Sequence, residues 1–235
     1  VIETHLVETE PSDGILPRPV PFSVVYEDDD ILVVDKPADT PIHPSIGNYE
    51  NTLANGIAWY FEQKGEPFVY RCINRLDRDT TGLIVLAKHA LSAAVLSQAM
   101  RSREIHRTYQ AFALGETAAS GTIDAPIARL NGSLIQRTVD FASGERSVTH
   151  YRTLAHCSVF SHLELNLETG RTHQIRVHMA YIGHPLLGDT LYNKTPGTFP
   201  RQALHSASLS FVHPITGEPL NFHAPLPEDM QNLLT

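Results

Sequence analysis

Short apolar or alternating segments, separated by polar and turn-forming residues, are the clearest pattern along the chain. Residues 31–34 are continuously apolar and are followed by the proline-containing segment 35–41, which predicts a buried strand that ends at this segment. Segment 159–168 alternates apolar and polar side chains, which predicts a strand with one buried face. Two further strands are predicted at 83–88 and 106–114.

Three segments have helical periodicity instead. Residues 51–61 predict a helix that is capped by Asn51 or Thr52. In segment 89–103 the face expected to be buried comprises Leu91, Ala94, Val95 and Ala99. Segment 169–185 begins with a turn and continues as a helix whose inward residues are expected to be Ile175, Met179 and Ile182. Because strands and helices interleave, the predicted fold class is α/β or α+β.

The first 21 residues differ in composition from the rest. Weak alternation of apolar residues is followed by Pro11, Pro17, Pro19 and Pro21, and proline prevents helix formation. This pattern predicts the last strand of a preceding unit and then a linker. An isolated strand has no sheet to complete its hydrogen bonds, so residues 1–20 are expected to be poorly packed.

Charge is distributed unevenly over the 235 residues, a length that allows one large domain or two smaller lobes. The formal net charge is −8, composed of −10 for residues 1–70, +4 for residues 71–107 and −2 for residues 108–235. Local basic patches attract phosphates more than net charge does. The middle segment is therefore a candidate nucleic-acid surface despite the acidic total.

Several classes of protein are disfavoured by the sequence. The two cysteines, Cys72 and Cys157, cannot form a disulfide framework, and neither has a neighbouring ligand for a zinc knuckle. No apolar run approaches the roughly 20 residues that span a bilayer. A metal site is disfavoured because His173 and His178 are five positions apart, whereas helix neighbours are three or four apart. The expected location is the cytoplasm, without a membrane partner.

The stretch INRLDRDTTG, residues 73–82, concentrates the candidate chemistry. Arg75 and Arg78 flank Asp77, and Asp79 follows. The stretch could be a solvated turn, a phosphate-binding loop or the position of a catalytic aspartate.

One alternative comes from DRDTT, which matches the D-x-D-x-T nucleophile loop of haloacid-dehalogenase-type phosphatases with Asp77 and Asp79. An apolar strand precedes that loop, whereas here Asn74 and Arg75 are polar. That class also needs a later acidic pair for Mg²⁺, and GDTLYN supplies only Asp189. Dinucleotide-binding, P-loop and serine-hydrolase signatures are absent from the sequence.

Five segments in a fixed order carry a resemblance to a known family. They are YEDDDILVVDKPADTPIHPS, NRLDRDTTGLIVLAK, HRTYQAFALG, ETGRTHQIRVHMAYIGHPLLGD and ALHSASLSFVHPITGEPLNFHAPLP. From about residue 22 to the end, the chain resembles the RluA-type pseudouridine synthases. The resemblance implies a monomeric, cofactor-free isomerase that converts uridine to pseudouridine in structured RNA, ribosomal or transfer. It also implies a mixed, mostly antiparallel sheet with helices around a central cleft.

The resemblance further implies an organisation of domains. Residues 22–235 correspond to the catalytic domain of the family. Residues 1–21 correspond to a linker or a remnant of an S4-type RNA-binding domain that many relatives carry upstream.

The family's catalytic aspartate falls on Asp77, its active-site tyrosine on Tyr109 and its basic partner for the aspartate on Arg176. Arg171 is the alternative basic partner. The proposed substrate-binding residues are Arg75, Arg78, Arg171 and His43, although the sequence favours a structural role for His43.

The chemistry suits these residue types. Breaking the C–N glycosidic bond of uridine and rejoining the sugar at C5 needs an ionised carboxylate near C1′, as nucleophile or as base. Aspartate, with an ordinary pKa of about 3.9, is ionised at neutral pH, and an arginine partner keeps it so after water is excluded. A tyrosine ring can stack on a base that has left the RNA helix. The sequence does not identify the group that removes the C5 proton.

Two positions depart from the family pattern: Asn74 replaces the usual histidine, and Asp39 replaces the usual glycine. Both are expected near the RNA-facing rim, where they would affect the choice of substrate. A catalytically inactive RNA-binding module remains the alternative from another functional class.

Overall fold

The computed structural model describes residues 10–234, which form two compact units. Unit 1 comprises residues 10–105 and 209–224, and unit 2 comprises residues 106–208 and 225–234. The mixed α/β fold with mostly antiparallel strand pairs confirms the predicted fold class. No helix in the described part of the chain is long and apolar enough to cross a membrane.

Unit 1 is built on a sheet in which β1-β2 and β2-β3 pair antiparallel, together with two helices. Its strands are β1 (Ser23–Glu27), β2 (Ile31–Lys36), β3 (Thr81–Ala87), the second half of β10 (Leu204–Val212) and β11 (Pro219–His223). They follow the order β1-β2-β3-β10, with β11 paired to β10. The helices are α1 (Leu53–Lys64) and α2 (Ala90–Arg101). The predicted β2, β3 and α1 are thereby confirmed.

The two long strands of unit 1 are apolar on both faces, which explains their continuous apolar runs. Ile31 pairs with Ala87 and Val34 with Ile84, and every residue of β3 is buried. Their side chains form a core with Leu96 of α2 and with Leu209 and Phe211 of β10.

The start of α1 has a capping box. Thr52 accepts a hydrogen bond from the backbone N–H of Asn55, and the Asn55 side chain accepts one from the Thr52 N–H. Thr52, not Asn51, is therefore the N-cap. The helix ends at Gly65, whose φ of 70° lies in the left-handed region that glycine adopts without strain.

The buried face predicted for α2 is wrong. Leu91 and Val95 are 49% and 39% exposed, whereas Ser92 and Leu96 are fully buried. Ala99 is only partly buried, although it does pack against the core of unit 1. The N-cap His89 anchors the start of the helix, because its Nδ1 accepts a hydrogen bond from the Ser92 N–H at 3.2 Å and its Nε2 lies 2.7 Å from Asp30 Oδ1.

Residues 12–20 are hydrogen-bonded to the rest of unit 1, although none of residues 10–20 is buried. The predicted poor packing is therefore only partly correct for this part of the segment. The Arg18 N–H donates to Asn55 O at 3.1 Å, and the Asn55 side chain donates to Leu16 O at 2.7 Å. The Tyr70 N–H donates to the Ser12 hydroxyl at 2.8 Å. Val20 packs against Gly56 of α1. A Cβ added at Gly56 would be only 2.5 Å from the carbonyl oxygen of Val20. The strand predicted within residues 1–9 lies outside the described residues.

Unit 2 contains the sheet β10-β4-β9-β8-β5 and a separate hairpin of β6 and β7. The strands are β4 (His106–Leu114), β5 (Ser120–Asp124), β6 (Ile127–Arg129), β7 (Arg137–Val139), β8 (Val148–His156) and β9 (Phe160–Leu167). The helices are α3 (Gln174–Tyr181) and the short α4 (Glu228–Gln231). The predicted β4, β9 and α3 are confirmed, with Leu163, Leu165, Ile175 and Met179 buried as expected and Ile182 partly buried.

Candidate active site

Asp77 lies in unit 1, in the loop that leads into β3. The loop is tight at this point, because the Thr80 N–H donates to Asp77 O at 3.1 Å. The side chain of Asn74 fastens the loop to β3: its Nδ2 donates to Leu83 O at 3.1 Å, and its Oδ1 accepts from the Val85 N–H at 2.9 Å. The half-buried Asp77 is thus carried by a loop with a fixed path.

Asn74 does not lie at a solvent-facing rim, so that expectation is wrong. Only 3% of the residue is exposed, and both ends of its amide bond to backbone groups of β3. An amide offers a donor and an acceptor together, which this position requires. The sequence indicated only a departure from the family pattern, because the need for both functions arises from the packing against β3.

Lys36 joins the segment after β2 to the Asp77 loop, a role that the sequence reasoning missed. It is fully buried, and its Nζ donates to Pro37 O at 2.7 Å, Thr40 O at 3.0 Å and Arg78 O at 2.8 Å. Three carbonyl acceptors match the three donors of an ammonium group. The Thr40 N–H also donates to Arg78 O, at 3.1 Å. The segment after β2 and the Asp77 loop are therefore fixed relative to one another.

Asp39, the second departure from the family pattern, is exposed as expected and has a φ of 55°. This left-handed conformation favours glycine, which accounts for the glycine usual in the family. Its carboxylate forms an ion pair with Arg78, whose Nε donates to Oδ1 at 2.6 Å. Its N–H donates to Asp79 Oδ1 at 3.2 Å.

His43 and Arg75 lie close to one another in unit 1. The His43 ring packs edge-on against Tyr70, with ring centres 5.1 Å apart. Burial, and then the charge of Arg75, lower the pKa of His43 below its ordinary value. Arg75 itself is exposed, as a residue that binds an external anion must be.

Tyr109 lies in unit 2, near the start of β4. It is only 4% exposed and is paired with Leu165 of β9. Arg107, two positions earlier, lies on the same face of the strand, because alternate residues share a face.

Arg176 of α3 is held rigidly within unit 2. Its Nε donates to Asp189 Oδ2 at 2.7 Å and its Nη2 to Asp189 Oδ1 at 2.9 Å, with both side chains almost completely buried. The Tyr192 ring lies 5.2 Å from the guanidinium carbon. Asp189 Oδ1 also accepts from the N–H groups of Leu191 and Tyr192, at 3.0 and 3.2 Å. This two-point pair fixes the plane of the guanidinium.

Asp189 therefore positions the guanidinium of Arg176. The sequence had drawn attention to Asp189 only as one member of the acidic pair that a magnesium site would need. The segment GDTLYN gave a signal that could have found it, since an aspartate followed by backbone donors forms such turns. Nothing in the sequence indicated its partner, because the two residues are brought together by the packing of α3.

Arg171, the alternative basic residue, lies in the turn before α3 and forms an ion pair with Glu145 at the surface. Its N–H donates to Gln174 Oε1 at 3.0 Å. His173 and His178 have separate partners: His173 Nδ1 is 2.7 Å from the Tyr192 hydroxyl, and His178 Nδ1 is 2.9 Å from Thr149 Oγ1.

One cluster in unit 1 has metal-ligating side chains close together: Asp28, Asp30 and His213. Asp28 Oδ2 accepts from the Tyr26 hydroxyl at 2.7 Å and lies 3.0 Å from His213 Nε2. Its Oδ1 accepts from the Asp30 N–H at 2.8 Å, and Asp30 Oδ1 is 2.7 Å from His89 Nε2. These hydrogen bonds give the cluster a structural role at the turn between β1 and β2.

Residues 30–181 match the family described as RNA pseudouridylate synthase, and this range includes Asp77, Tyr109 and Arg176. The chain belongs to this family. It is a pseudouridine synthase of the RluA type, an isomerase that acts on RNA, which confirms the resemblance derived from the sequence.

Curated relatives extend the similarity over nearly the whole chain. An RNA pseudouridine synthase of Bacillus subtilis, named YjbO and described as uncharacterized, is 44% identical over 228 residues, covering 97% of this chain and 80% of the relative. Ribosomal large subunit pseudouridine synthase D of Vibrio cholerae is 44% identical over 227 residues, covering 90% of this chain and 69% of the relative. The Escherichia coli (strain K12) protein of that name is 41% identical over 241 residues, covering 97% and 74%.

Solved structures agree with this assignment. Human RNA Pseudouridylate Synthase Domain Containing 1 superposes with a TM-score of 0.73 at 26% identity, covering 92% of this chain and 86% of the human chain.

Proposed function

We propose that this pseudouridine synthase modifies uridines of large-subunit ribosomal RNA. The support comes from relatives at 41–44% identity that are named ribosomal large subunit pseudouridine synthase D. Transfer RNA is the alternative substrate. We also propose that residues 22–235 form the catalytic domain, acting as a cytoplasmic monomer on structured RNA without a cofactor.

Asp77 is the proposed catalytic carboxylate. The observation that carries this assignment is the loop fixed to β3 by Asn74 and to the segment after β2 by Lys36, within the region that matches the family. Such a loop can hold one carboxylate in a reactive geometry, which lowers the entropic part of the barrier. The carboxylate acts as nucleophile or base while the C1′–N1 bond breaks, a C1′–C5 bond forms and the C5 proton leaves.

Tyr109 and Arg176 are the proposed second and third residues of the reaction. Tyr109 supplies a ring for the flipped base and a hydroxyl for hydrogen bonding. Arg176, with its guanidinium fixed by Asp189, is the proposed basic residue, and Arg171 is the alternative. Arg75, Arg78 and His43 are proposed to bind the RNA, and Arg78 must exchange its ion pair with Asp39 to do so.

Asp77→Asn tests the assignment, because asparagine has the same shape but cannot act as a nucleophile or base. We expect tritium release from RNA labelled at uridine C5 to fall by at least roughly a hundredfold, with RNA affinity nearly unchanged. Asp79→Asn is the matched control: its amide oxygen can still accept the Asp39 N–H, so activity should be retained. Appreciable release by Asp77→Asn would contradict the proposed role, and loss of activity in both variants would favour chemistry that needs both carboxylates.

The choice of RNA is tested separately. Pseudouridine mapping in cells with and without the protein should show sites lost from large-subunit ribosomal RNA. Loss confined to transfer RNA would contradict the proposed substrate while leaving the enzyme class unchanged.

A further inference from the structure

Arg107, the second residue of β4, has a guanidinium group without a partner in the described part of the chain. Its Nε is buried and makes no hydrogen bond within residues 10–234. Its two Nη atoms likewise form no hydrogen bond or ion pair with those residues. A buried donor without an acceptor costs free energy, so such groups in native proteins call for an explanation.

The other arginines of unit 2 that are not fully exposed all have partners. Arg176 and Arg201 each form a two-point pair with a carboxylate, that of Asp189 and that of Asp229. The Arg137 Nη1 donates to Ile135 O at 3.2 Å. Arg107 therefore differs from comparable arginines of its own unit.

The position of Arg107 places its charge beside the candidate residues of unit 2. It shares a face of β4 with Tyr109, two positions further on. The end of its guanidinium lies against Gly170, in the turn before α3, the helix that carries Arg176. A Cβ at Gly170 would be 3.3 Å from Arg107 Nη1 and 3.5 Å from Nη2, so glycine leaves the room that the guanidinium occupies.

We propose that Arg107 binds a phosphate group of the substrate RNA next to the reacting uridine. A guanidinium is charged at all relevant pH values and presents a planar set of donors that fits phosphate oxygens. No carboxylate of the described residues forms an ion pair with the Arg107 guanidinium. We therefore expect an external anion to accept its hydrogen bonds. RNA offers that anion in its backbone. This inference rests on the RNA-modifying activity and on the proposed role of Tyr109.

Arg107→Met tests the proposal, because methionine keeps much of the apolar length and removes the charge. Binding of an in vitro transcript of large-subunit ribosomal RNA should weaken roughly tenfold. The plot of log affinity against log salt should become shallower by roughly 0.7–0.9, the contribution of one phosphate contact. KM for RNA should rise with kcat little changed, and Arg107→Lys should restore most of the salt dependence.

Arg152→Met is the matched control, since Arg152 is an exposed arginine of unit 2 that already pairs with Glu164. Its affinity and salt slope should equal those of the wild type. The proposal is overturned if Arg107→Met binds like this control, or if it lowers kcat alone.

A double-mutant cycle tests the role of Gly170. Gly170→Ala should weaken RNA binding severalfold in the wild-type background and have no effect in the Arg107→Met background, because the methyl group acts by displacing the guanidinium. An equal loss in both backgrounds would show that Gly170 acts independently of Arg107.

Binding and turnover separate this inference from the proposed function. If the wild type forms no pseudouridine in large-subunit ribosomal RNA, the proposed substrate is wrong. The binding measurements on the Arg107 variants still test whether Arg107 contacts an RNA phosphate. If the wild type is active and Arg107→Met binds normally, the inference fails and the proposed function stands.

Discussion

Three buried polar side chains hold the candidate residues in place. Lys36 and Asn74 fix the loop of Asp77, and Asp189 fixes the guanidinium of Arg176. Each uses hydrogen-bonding groups that an apolar side chain of the same size lacks, so each is costly to replace. Precision at this scale comes from residues next to the chemistry as much as from the candidate catalytic groups.

Asn74→Ala should lower both stability and activity. The substitution removes the side-chain hydrogen bonds of Asn74 to Leu83 O and to the Val85 N–H. The loss should reduce the free energy of unfolding by about 1–3 kcal/mol. Because the loop carries Asp77, kcat should fall more than KM rises. Urea denaturation and tritium release measure the two effects.

Asn74→His is the control, since imidazole also offers one donor and one acceptor. It should retain more stability and more activity than Asn74→Ala. If Asn74→Ala unfolds at the wild-type urea concentration, the two side-chain bonds do not stabilise the loop.

At the scale of elements, α2 shows why periodicity alone does not identify a buried face. Its sequence ALSAAVLSQAMR has small or apolar residues around much of the helix, so more than one stripe fits the helical period. Packing against the sheet selects the stripe with Ser92 and Leu96, since Leu96 lies in the core of unit 1 and His89 Nε2 at the helix start lies 2.7 Å from Asp30 Oδ1. Leu91 and Val95 are left largely in solvent.

Two alanine substitutions on adjacent residues test this orientation. Leu96→Ala should reduce the free energy of unfolding by about 2–5 kcal/mol, because it leaves a cavity in the core of unit 1. Val95→Ala should change it by less than about 0.5 kcal/mol, as is usual for exposed positions. Urea denaturation of both variants decides, and the reverse order of effects would support the face that the sequence predicted.

At the scale of the whole molecule, buried histidines make stability depend on pH. Burial lowers the pKa of His162 and of His178, and the pKa of His178 is lowered despite the opposing hydrogen bond to Ala125 O. Below pH 6.5 these two imidazoles therefore bind protons in the unfolded chain but remain neutral in the folded protein until the pH is lower. This stabilisation is complete above pH 6.5 and is lost as the pH falls through the lowered values. Hydrogen bonds from Arg146 and His150 lower the pKa of Glu168, so its contribution is lost only at more acidic pH.

The free energy of unfolding should accordingly be lower at about pH 5.5 than at about pH 7. In His178→Gln the decrease between these two pH values should be smaller, because the variant lacks one imidazole whose pKa is lower in the folded than in the unfolded state. His223→Gln, at an exposed position of β11, should show the wild-type decrease. Equal decreases in all three proteins would exclude His178 as a source of the pH dependence.

Local sequence signals predict much of the architecture. The strands β2, β3, β4 and β9 and the helices α1 and α3 were predicted because hydrophobic period, caps and turn residues are local signals. The family was also accessible, because its motifs are short segments whose order survives in the sequence.

Other features depend on contacts between segments that are far apart in the sequence, or are too short to show a pattern. The short strands β6 and β7 have only three residues each, too few for a period to show. The buried role of Asn74, the pairing of Arg176 with Asp189 and the unpartnered guanidinium of Arg107 join residues that are distant along the chain or depend on what packs around them. A sequence pattern records the period and polarity of one segment, whereas hydrogen-bond partners and burial are set by which other segments the fold brings against it.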